Sequence, residues 1–471
     1  LFTLNKDEQV IIKALADVVK EHGYEAYLIG GFVRDKILKR ECKDIDVVCL
    51  GDGIELANLV ANKFNPAPNV VFYSRFGTAM FRIFDIDIEF VGARKESYSS
   101  DSRKPNVSSG SIKDDQLRRD FTVNALAISL NENNYFHLVD PFDGIKHLED
   151  KLIITPGDPD ITFIDDPLRI LRGIRFSCQL DFKIDVLTWN AIIKNRNRIN
   201  IVSQERITTE LEKILASPKP SIGFKLLFDS GLLELIFPEV AALYGVDSIG
   251  SKSHKDNFYH TLEVVDNLAK NTDDIWLRWA ALLHDIAKPA TKKFDEKVGW
   301  TFHAHEVLGA VMVPKIFKRL RLPLDHKMKF VQKMVRLHLR PISLTKEEIT
   351  DSAIRRLLVD AGDDIESLMM LCEADITSKN RERRSRYISN YRSVRDKISL
   401  VEEKDRLRNW QPPIDGEFIM KSFNIGPSRE VGVIKQFIKD AILDGVIEDN
   451  LEAAKELMLI KGSELGLRPE K

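Results

Sequence analysis

Residues 28–50, LIGGFVRDKILKRECKDIDVVCL, constrain the rest of the chain more than any other stretch. An apolar run ends at Gly30 and Gly31, a helix-forming segment covers residues 32–39, and Asp44-Ile45-Asp46 lies inside a second apolar run. The pattern predicts strand, glycine turn, helix, strand. Paired glycines let backbone amides approach a phosphate closely, at a helix N-terminus that already favours negative charge. Asp44 and Asp46 stand two apart in a strand, so both carboxylates emerge on one face. Such a pair suits Mg²⁺, which takes one or two carboxylates together with substrate phosphates. A nucleoside triphosphate then fits the glycine turn at one end and the metal at the other.

Each half alone describes an ordinary turn and an ordinary strand end. Together, GGFVRD followed by DID resembles the signature of the polymerase β-like nucleotidyltransferases, and within them the class II tRNA nucleotidyltransferase and poly(A) polymerase family. The resemblance implies an α+β fold: a nucleotidyltransferase head with a mixed β-sheet, then all-α neck, body and tail regions. It also implies nucleotide contacts from Gly30, Gly31 and Arg34.

Around this stretch the pattern predicts an amphipathic helix over residues 6–22, a second over 53–64, and strands at 70–73, 78–84 and 86–91. The last strand carries Asp87 and Glu89 on one face. Glu89 is the candidate third carboxylate, with Asp87 as its rival. Residues 94–116 are polar and serine-rich without apolar period, and read as a long mobile loop. A second match to the family, RRDFTVNALA, follows; its arginine can fork onto phosphate, and Asp120 and Asn124 can take a ribose hydroxyl. Arg119, Asp120 and Asn124 are its candidate nucleotide ligands.

The third match is FIDDPLRILRGIRF, residues 163–176. Pro167 suits a helix start with Asp166 as cap, and Arg169, Arg172 and Arg175 then line one side of the helix. The resemblance implies that Asp166 and Arg169 read the edge of the incoming base in place of a template, and that Arg172 contacts phosphate. Arg175 is grouped with them as a nucleotide contact. Asp165 departs from the glutamate common there. The head is expected over residues 1–155 and a helical neck and body over 156–245.

Past residue 250 the pattern changes. His260 opens a helix, His284-Asp285 ends another, and Asp375 follows far downstream. The order H…HD…D resembles the HD-domain phosphohydrolases and implies a divalent transition metal on His260, His284, Asp285 and Asp375. His303, His305 and His338 are further imidazoles nearby in sequence. The HD domain is expected over 250–400. Residues 379–408 are dense in arginine, with Tyr387 and Tyr391 four apart, a helix suited to an RNA backbone or to plain solvation. A helical tail fills 401–471.

Composition excludes little else. The net charge of −2 gives no global attraction to nucleic acid, so an RNA site must come from local basic patches. Four scattered cysteines suit a reducing cytoplasm and argue against zinc-cysteine sites. No apolar run approaches the roughly 18 residues of a membrane span. The resemblance thus implies a cytoplasmic enzyme that adds CMP and AMP from CTP and ATP to the 3′ end of tRNA, with two Mg²⁺ ions in the head. Its rivals are an A-adding tRNA enzyme or a poly(A) polymerase, an HD phosphohydrolase with a vestigial head, and a non-catalytic RNA binder.

Overall fold

The computed structural model describes residues 2–73, 77–99, 102–249, 252–253, 255–344, 350–377, 380–405 and 410–469. The chain forms two compact units, Leu1–Ala241 and Ala242–Lys471.

The first unit begins with α1 (Lys6–His22), started by a capping box between Asn5 and Glu8 and ended by left-handed Gly23. Its stripe of Ile11, Leu15, Val18 and Val19 is buried. Next come β1 (Glu25–Ile29), α2 (Gly31–Ile37), β2 (Asp44–Leu50), α3 (Gly53–Ala61), β3 (Val71–Tyr73), β4 (Thr78–Ile83) and β5 (Ile86–Gly92). The expected strand, turn, helix, strand is therefore β1–α2–β2.

Residues 94–109 differ from the expected loop. Their backbone forms an antiparallel hairpin of β6 (Arg94–Ser99) and β7 (Ser102–Ser109), paired with each other and not with the main sheet. Its sequence is polar and serine-rich and lacks the apolar alternation of a half-buried strand. The rest of residues 94–116 lead into α4 (Ile112–Leu117), started by a Ser111–Asp114 capping box.

With β8 (Ala127–Ser129) and β9 (Leu138–Val139) the main sheet has the order β3-β4-β5-β2-β1-β8-β9. It is mixed: β2 runs parallel to β5 and antiparallel to β1. Val47, Val48, Cys49, Ile88 and Phe90 give these central strands buried side chains. Asp44 and Asp46 thus sit at the leading end of the middle strand.

The unit continues through α5 (Gly144–Glu149), α6 (Pro159–Asp165), α7 (Leu168–Leu180), α8 (Val186–Asn195), α9 (Gln204–Leu215), α10 (Pro220–Asp229), α11 (Leu232–Ile236) and α12 (Pro238–Ala241). Helix α7 packs against α9 and α10. It also lies hard against the head: a Cβ on Gly173 would come within 2.9 Å of the Phe121 ring. That close approach fixes α7 as a wall of the site.

The second unit is nearly all helical: α13 (Asn257–Ala269), α14 (Ile275–Leu283), α15 (Lys288–Thr291), α16 (His305–Leu320), α17 (His326–Leu337), α18 (Leu339–Leu344), α19 (Asp351–Ala361), α20 (Ile365–Ala374), α21 (Arg381–Asp405), α22 (Gly416–Phe423), α23 (Arg429–Leu443) and α24 (Leu451–Glu464). The tail helices share a core of Ile414, Ile419, Phe423, Ile434, Ile438 and Met458. Arg356 of α19 reaches Asp440 of α23 and Asp444, the residue that caps its end, at 2.6 and 2.7 Å.

Two details differ from the sequence expectation here. The boundary at residue 401 falls inside α21. That helix also buries Tyr391, Val394, Ile398 and Val401 in one stripe, and the Tyr391 hydroxyl donates to the Met369 carbonyl at 2.7 Å. Tyr391 is therefore a core residue and not a surface for RNA; Tyr387 is exposed. Residues 378–379 and 406–409 lie outside the described residues. No helix among the described residues is long and apolar enough to cross a membrane.

Candidate active site and metal cluster

Sheet register explains how the head carboxylates assemble. Asp46 lies opposite Ile29 of β1 on one side and opposite Glu89 of β5 on the other, while Asp44 pairs with Asp87. Gly30, next after Ile29, therefore turns directly over Asp46. Its φ is 80°, and a Cβ there would lie 2.7 Å from Asp46 Oδ2 and 3.0 Å from Arg119 Nη1, so only glycine fits.

A cleft of about 700 Å³ opens at this turn. Gly30, Gly31, Arg34, Asp44, Asp46 and Glu89 line it on the sheet side; Arg119, Asp120, Asn124, Asp166, Arg169, Arg172 and Arg175 complete it. Every head residue expected from sequence is thus brought to one cavity. Glu89 faces the cleft. Asp87 is not among its walls and lies 3.8 Å from Arg82 Nε.

Charge is unevenly satisfied there. Burial pushes the Asp46 carboxyl up and Asp44 adds to it, against Arg119 and Arg34. Burial, then Asp46, pushes Glu89 up as well. Crowded, partly desolvated carboxylates of this kind fit a bound divalent cation, whose charge relieves both burdens and whose preference is for oxygen donors.

The opposite wall is braced internally. Asp166 Oδ1 accepts from the Leu168 amide at 3.2 Å, as expected of a cap, and Arg206 Nη2 lies 3.1 Å from Asp166 Oδ2. Arg169 Nη2 donates to the Arg118 carbonyl at 2.6 Å. Arg172 Nε donates to Asp120 Oδ2 at 2.6 Å, and Asp120 Oδ1 accepts from Asn124 Nδ2 and the Phe121 amide. Asn124 Oδ1 in turn accepts from Arg34. Arg175 Nε lies 3.1 Å from Glu210 Oε2, with its guanidinium over Phe176.

Asp120 is accordingly a brace, its carboxylate oxygens accepting from protein groups, while Arg175 Nε faces Glu210 as an ion pair without a hydrogen bond. The sequence reading missed Arg206, Glu210 and Lys213, all from α9; Arg206 and Lys213 line the cleft and Glu210 holds Arg175. Only the recurrence of charged residues every three or four places along α9 hinted at them.

Asp120 also carries a pH signature. Burial alone would push its carboxyl up, but Arg172 and Asn124 outweigh it and hold it at about 2 against an ordinary 3.8. The gap is worth about 2 kcal/mol of stability. That stability is complete above the unfolded pKa and is lost as pH falls through the folded one. We expect Asp120→Asn to lose its stability deficit relative to wild type between pH 4 and pH 2, as read by thermal unfolding; a deficit independent of pH would contradict the assignment.

In the second unit, His284-Asp285 at the end of α14 meets His260 of α13 and Asp375 after α20. His260 Nε2 is 2.9 Å from Asp375 Oδ1 and 3.6 Å from Asp285 Oδ2; His284 Nε2 is 3.2 Å from Asp285 Oδ2. The four expected ligands are thus together. His305 and His338 join them on the other side of Asp285, while His303 is exposed. Lys288 Nζ lies 2.5 Å from Asp285 Oδ2. Burial, with His284, pushes the His338 imidazole down to about 4. Burial also opposes ionisation of Asp285, but His284 and Lys288 hold it well below the usual carboxylate range.

A glycine turn, a carboxylate wall and an arginine-lined helix surround one open cleft, an arrangement whose chemistry suits a polyphosphate together with a divalent metal. Known proteins place that class more narrowly. Residues 26–154 match the poly A polymerase head domain, 181–244 the probable RNA and SrmB-binding site of polymerase A, and 257–379 the HD domain. The multifunctional CCA protein of Nitrosococcus oceani is 30% identical over 375 residues, covering 76% of this chain and 85% of that protein.

The CCA-adding enzyme of a Geobacillus strain is 34% identical over 266 residues, 54% of this chain and 63% of that enzyme. An A-adding tRNA nucleotidyltransferase of Aquifex aeolicus is 43% identical over 159 residues, 34% of this chain and 19% of that protein. A solved tRNA nucleotidyltransferase in complex with a primer tRNA and an ATP analogue superimposes with a TM-score of 0.58 at 25% identity, covering 82% of this chain and 99% of that one. The chain belongs to the tRNA nucleotidyltransferase and poly(A) polymerase family, in a form that carries an HD domain.

Proposed function

We propose that this chain adds CMP and AMP, from CTP and ATP, to the 3′ end of tRNA without a nucleic-acid template. The observation that carries the reading is that Asp44, Asp46 and Glu89 share one cleft with Asp166 and Arg169. Asp44 and Asp46, with Glu89 beside them, would hold Mg²⁺. When bound, two such ions activate the attacking 3′-hydroxyl and stabilise the leaving pyrophosphate.

The chain's own groups do the rest. Gly30 and Gly31 leave room for the triphosphate, and Arg34, Arg119 and Arg172 supply its countercharge. Asp166 accepts and Arg169 donates at the base edge, with Arg206 holding the Asp166 carboxylate and Asp120 and Asn124 keeping Arg172 and Arg34 in place. No side chain acts as a nucleophile, because the tRNA hydroxyl is one. A cytoplasmic location belongs to the same reading.

Purified protein incubated with tRNA lacking its 3′ end should incorporate labelled CMP from CTP alone, and AMP after the cytidines are in place. AMP addition confined to tRNA already ending in CC would favour an A-adding enzyme, a reading supported by the 43% identity over part of the chain to the Aquifex protein. Absence of incorporation from any triphosphate would overturn the proposal.

A second activity rests on the buried His260, His284, Asp285 and Asp375 cluster. Its mixed imidazole and carboxylate donors suit a divalent transition metal better than Mg²⁺. In this reading the HD unit is a metal-dependent phosphohydrolase for small nucleotides or damaged tRNA ends. His284→Ala with Asp285→Ala should lower bound metal and hydrolysis of 2′,3′-cyclic nucleotide while end addition persists; hydrolysis unaffected by the pair would remove the assignment.

A further inference from the structure

The cations of the cleft differ in what already neutralises them. Arg34, Arg172 and Arg175 gather around the Phe176 ring of α7, with guanidinium carbons 5.1, 5.5 and 4.3 Å from its centroid. Each has a carboxylate of its own: Asp35 lies 2.7 Å from Arg34, Asp120 2.6 Å from Arg172 and Glu210 3.1 Å from Arg175. Lys213 of α9 lines the same cleft without one. Among the described residues its amine makes no hydrogen bond, and Glu210 Oε1, on the carboxylate that already faces Arg175, lies 4.0 Å away. In this group four cations meet three carboxylates. The half-exposed Lys213 amine is pushed down by burial and then by Arg175, against Glu210. An arriving anion relieves that excess of positive charge.

Position along α7 says which part of a nucleotide arrives there. Asp166 and Arg169 stand at the start of the helix, and from Arg169 to Arg175 its axis advances about 9 Å, at about 1.5 Å per residue. Asp166 is held by Arg206 and Arg175 by Glu210, so α9 runs alongside α7, and Lys213 follows Glu210 on the side away from Asp166. A nucleotide with its base edge on Asp166 and Arg169 extends its phosphates toward Arg172 and Arg175. The phosphate furthest from the base is the terminal one, which also carries the most negative charge.

We infer that the Lys213 ammonium binds the terminal phosphate of the incoming triphosphate and holds it in the pyrophosphate that leaves. The inference deepens the reading of this cleft as a nucleotidyl-transfer site and rests on it. Lys213 takes no part in the bond exchange at the α-phosphorus; its contact separates a triphosphate from a diphosphate. A compact ammonium on a flexible stem can follow a phosphate as it moves off.

The test compares full-length wild type, Lys213→Met and Lys213→Arg in end addition to tRNA lacking its 3′ end, at saturating Mg²⁺. Competitive inhibition by CDP and by pyrophosphate is measured beside KM for CTP and for tRNA. Lys213→Met should raise KM for CTP and the inhibition constant of pyrophosphate about tenfold or more, as loss of one hydrogen bond between charged groups implies. The CDP constant and KM for tRNA should stay as in the wild type, and Lys213→Arg should recover most of the loss. A CDP constant that rises as far as KM for CTP would overturn the inference, because loosened packing of α9 weakens both alike. A rise confined to tRNA would overturn it by moving Lys213 to the primer, and unchanged constants throughout would overturn it as well. A wild type that adds no nucleotide would instead overturn the proposed function on which the inference rests.

Discussion

Asp46→Asn should abolish nucleotide addition while tRNA affinity stays as in the wild type. Asp46 occupies the middle of the sheet, pairs in register with Glu89, and is overhung by the Gly30 turn. The substitution keeps shape and one acceptor oxygen but removes the charge that would hold a divalent ion. A catalytic metal contributes several kcal/mol of charge stabilisation in the transition state. At about 1.4 kcal/mol per decade, its loss lowers the rate roughly three decades or more. Single-turnover addition at saturating Mg²⁺, beside a filter-binding titration of tRNA, measures both quantities. Addition at near wild-type rate would remove the metal assignment; weakened tRNA binding with unchanged chemistry would move Asp46 to the RNA surface.

Arg169→Ala should narrow the preference for CTP and ATP over UTP and GTP. Asp166 and Arg169 are three residues apart across the start of α7, one anchored by the Leu168 amide and Arg206, the other by the Arg118 carbonyl. Anchored donors and acceptors discriminate because a wrong base leaves them unpaired. One such contact to a base edge is worth roughly 1–3 kcal/mol, or about one to two decades of selectivity. The measurement is the ratio of kcat/KM across the four triphosphates. An unchanged four-nucleotide profile would show that base choice lies elsewhere. Arg206→Ala should shift the same ratios less, since it acts on Asp166 through one partly exposed ion pair.

Local chemistry was readable without coordinates where residues close in sequence carried it. The glycine turn and the Asp-x-Asp strand lie within one strand-turn-helix-strand unit, so periodicity alone places both carboxylates on one face. Preferring Glu89 to Asp87 rests on a family resemblance, because which of the two lines the cleft depends on how β5 lies beside β2, and no local pattern encodes that. The helix α9 contributions were only faintly marked, for a similar reason. Arg206, Glu210 and Lys213 look like a solvated charged stripe until α7 is seen packed against them.

The HD cluster shows the same division. The His284-Asp285 pair stands out in the chain, but the grouping of His305 and His338 on Asp285 depends on how α14, α16 and α17 pack. Residues 94–109 misled because a polar, serine-rich hairpin carries no apolar alternation, and Tyr391 misled because arginines around it mask a buried stripe of period three to four.

In the proposed function, one cleft joins the metal-binding carboxylates to the base-reading end of α7. Crystals of the wild-type protein soaked with ATP and Mn²⁺, with anomalous scattering to locate the manganese, test it most directly. Manganese should lie against Asp44 and Asp46, the triphosphate along Arg34, Arg119 and Arg172, and the adenine edge on Asp166 and Arg169. A nucleotide bound with its base away from Asp166 and Arg169, or manganese absent from Asp44 and Asp46, would contradict it.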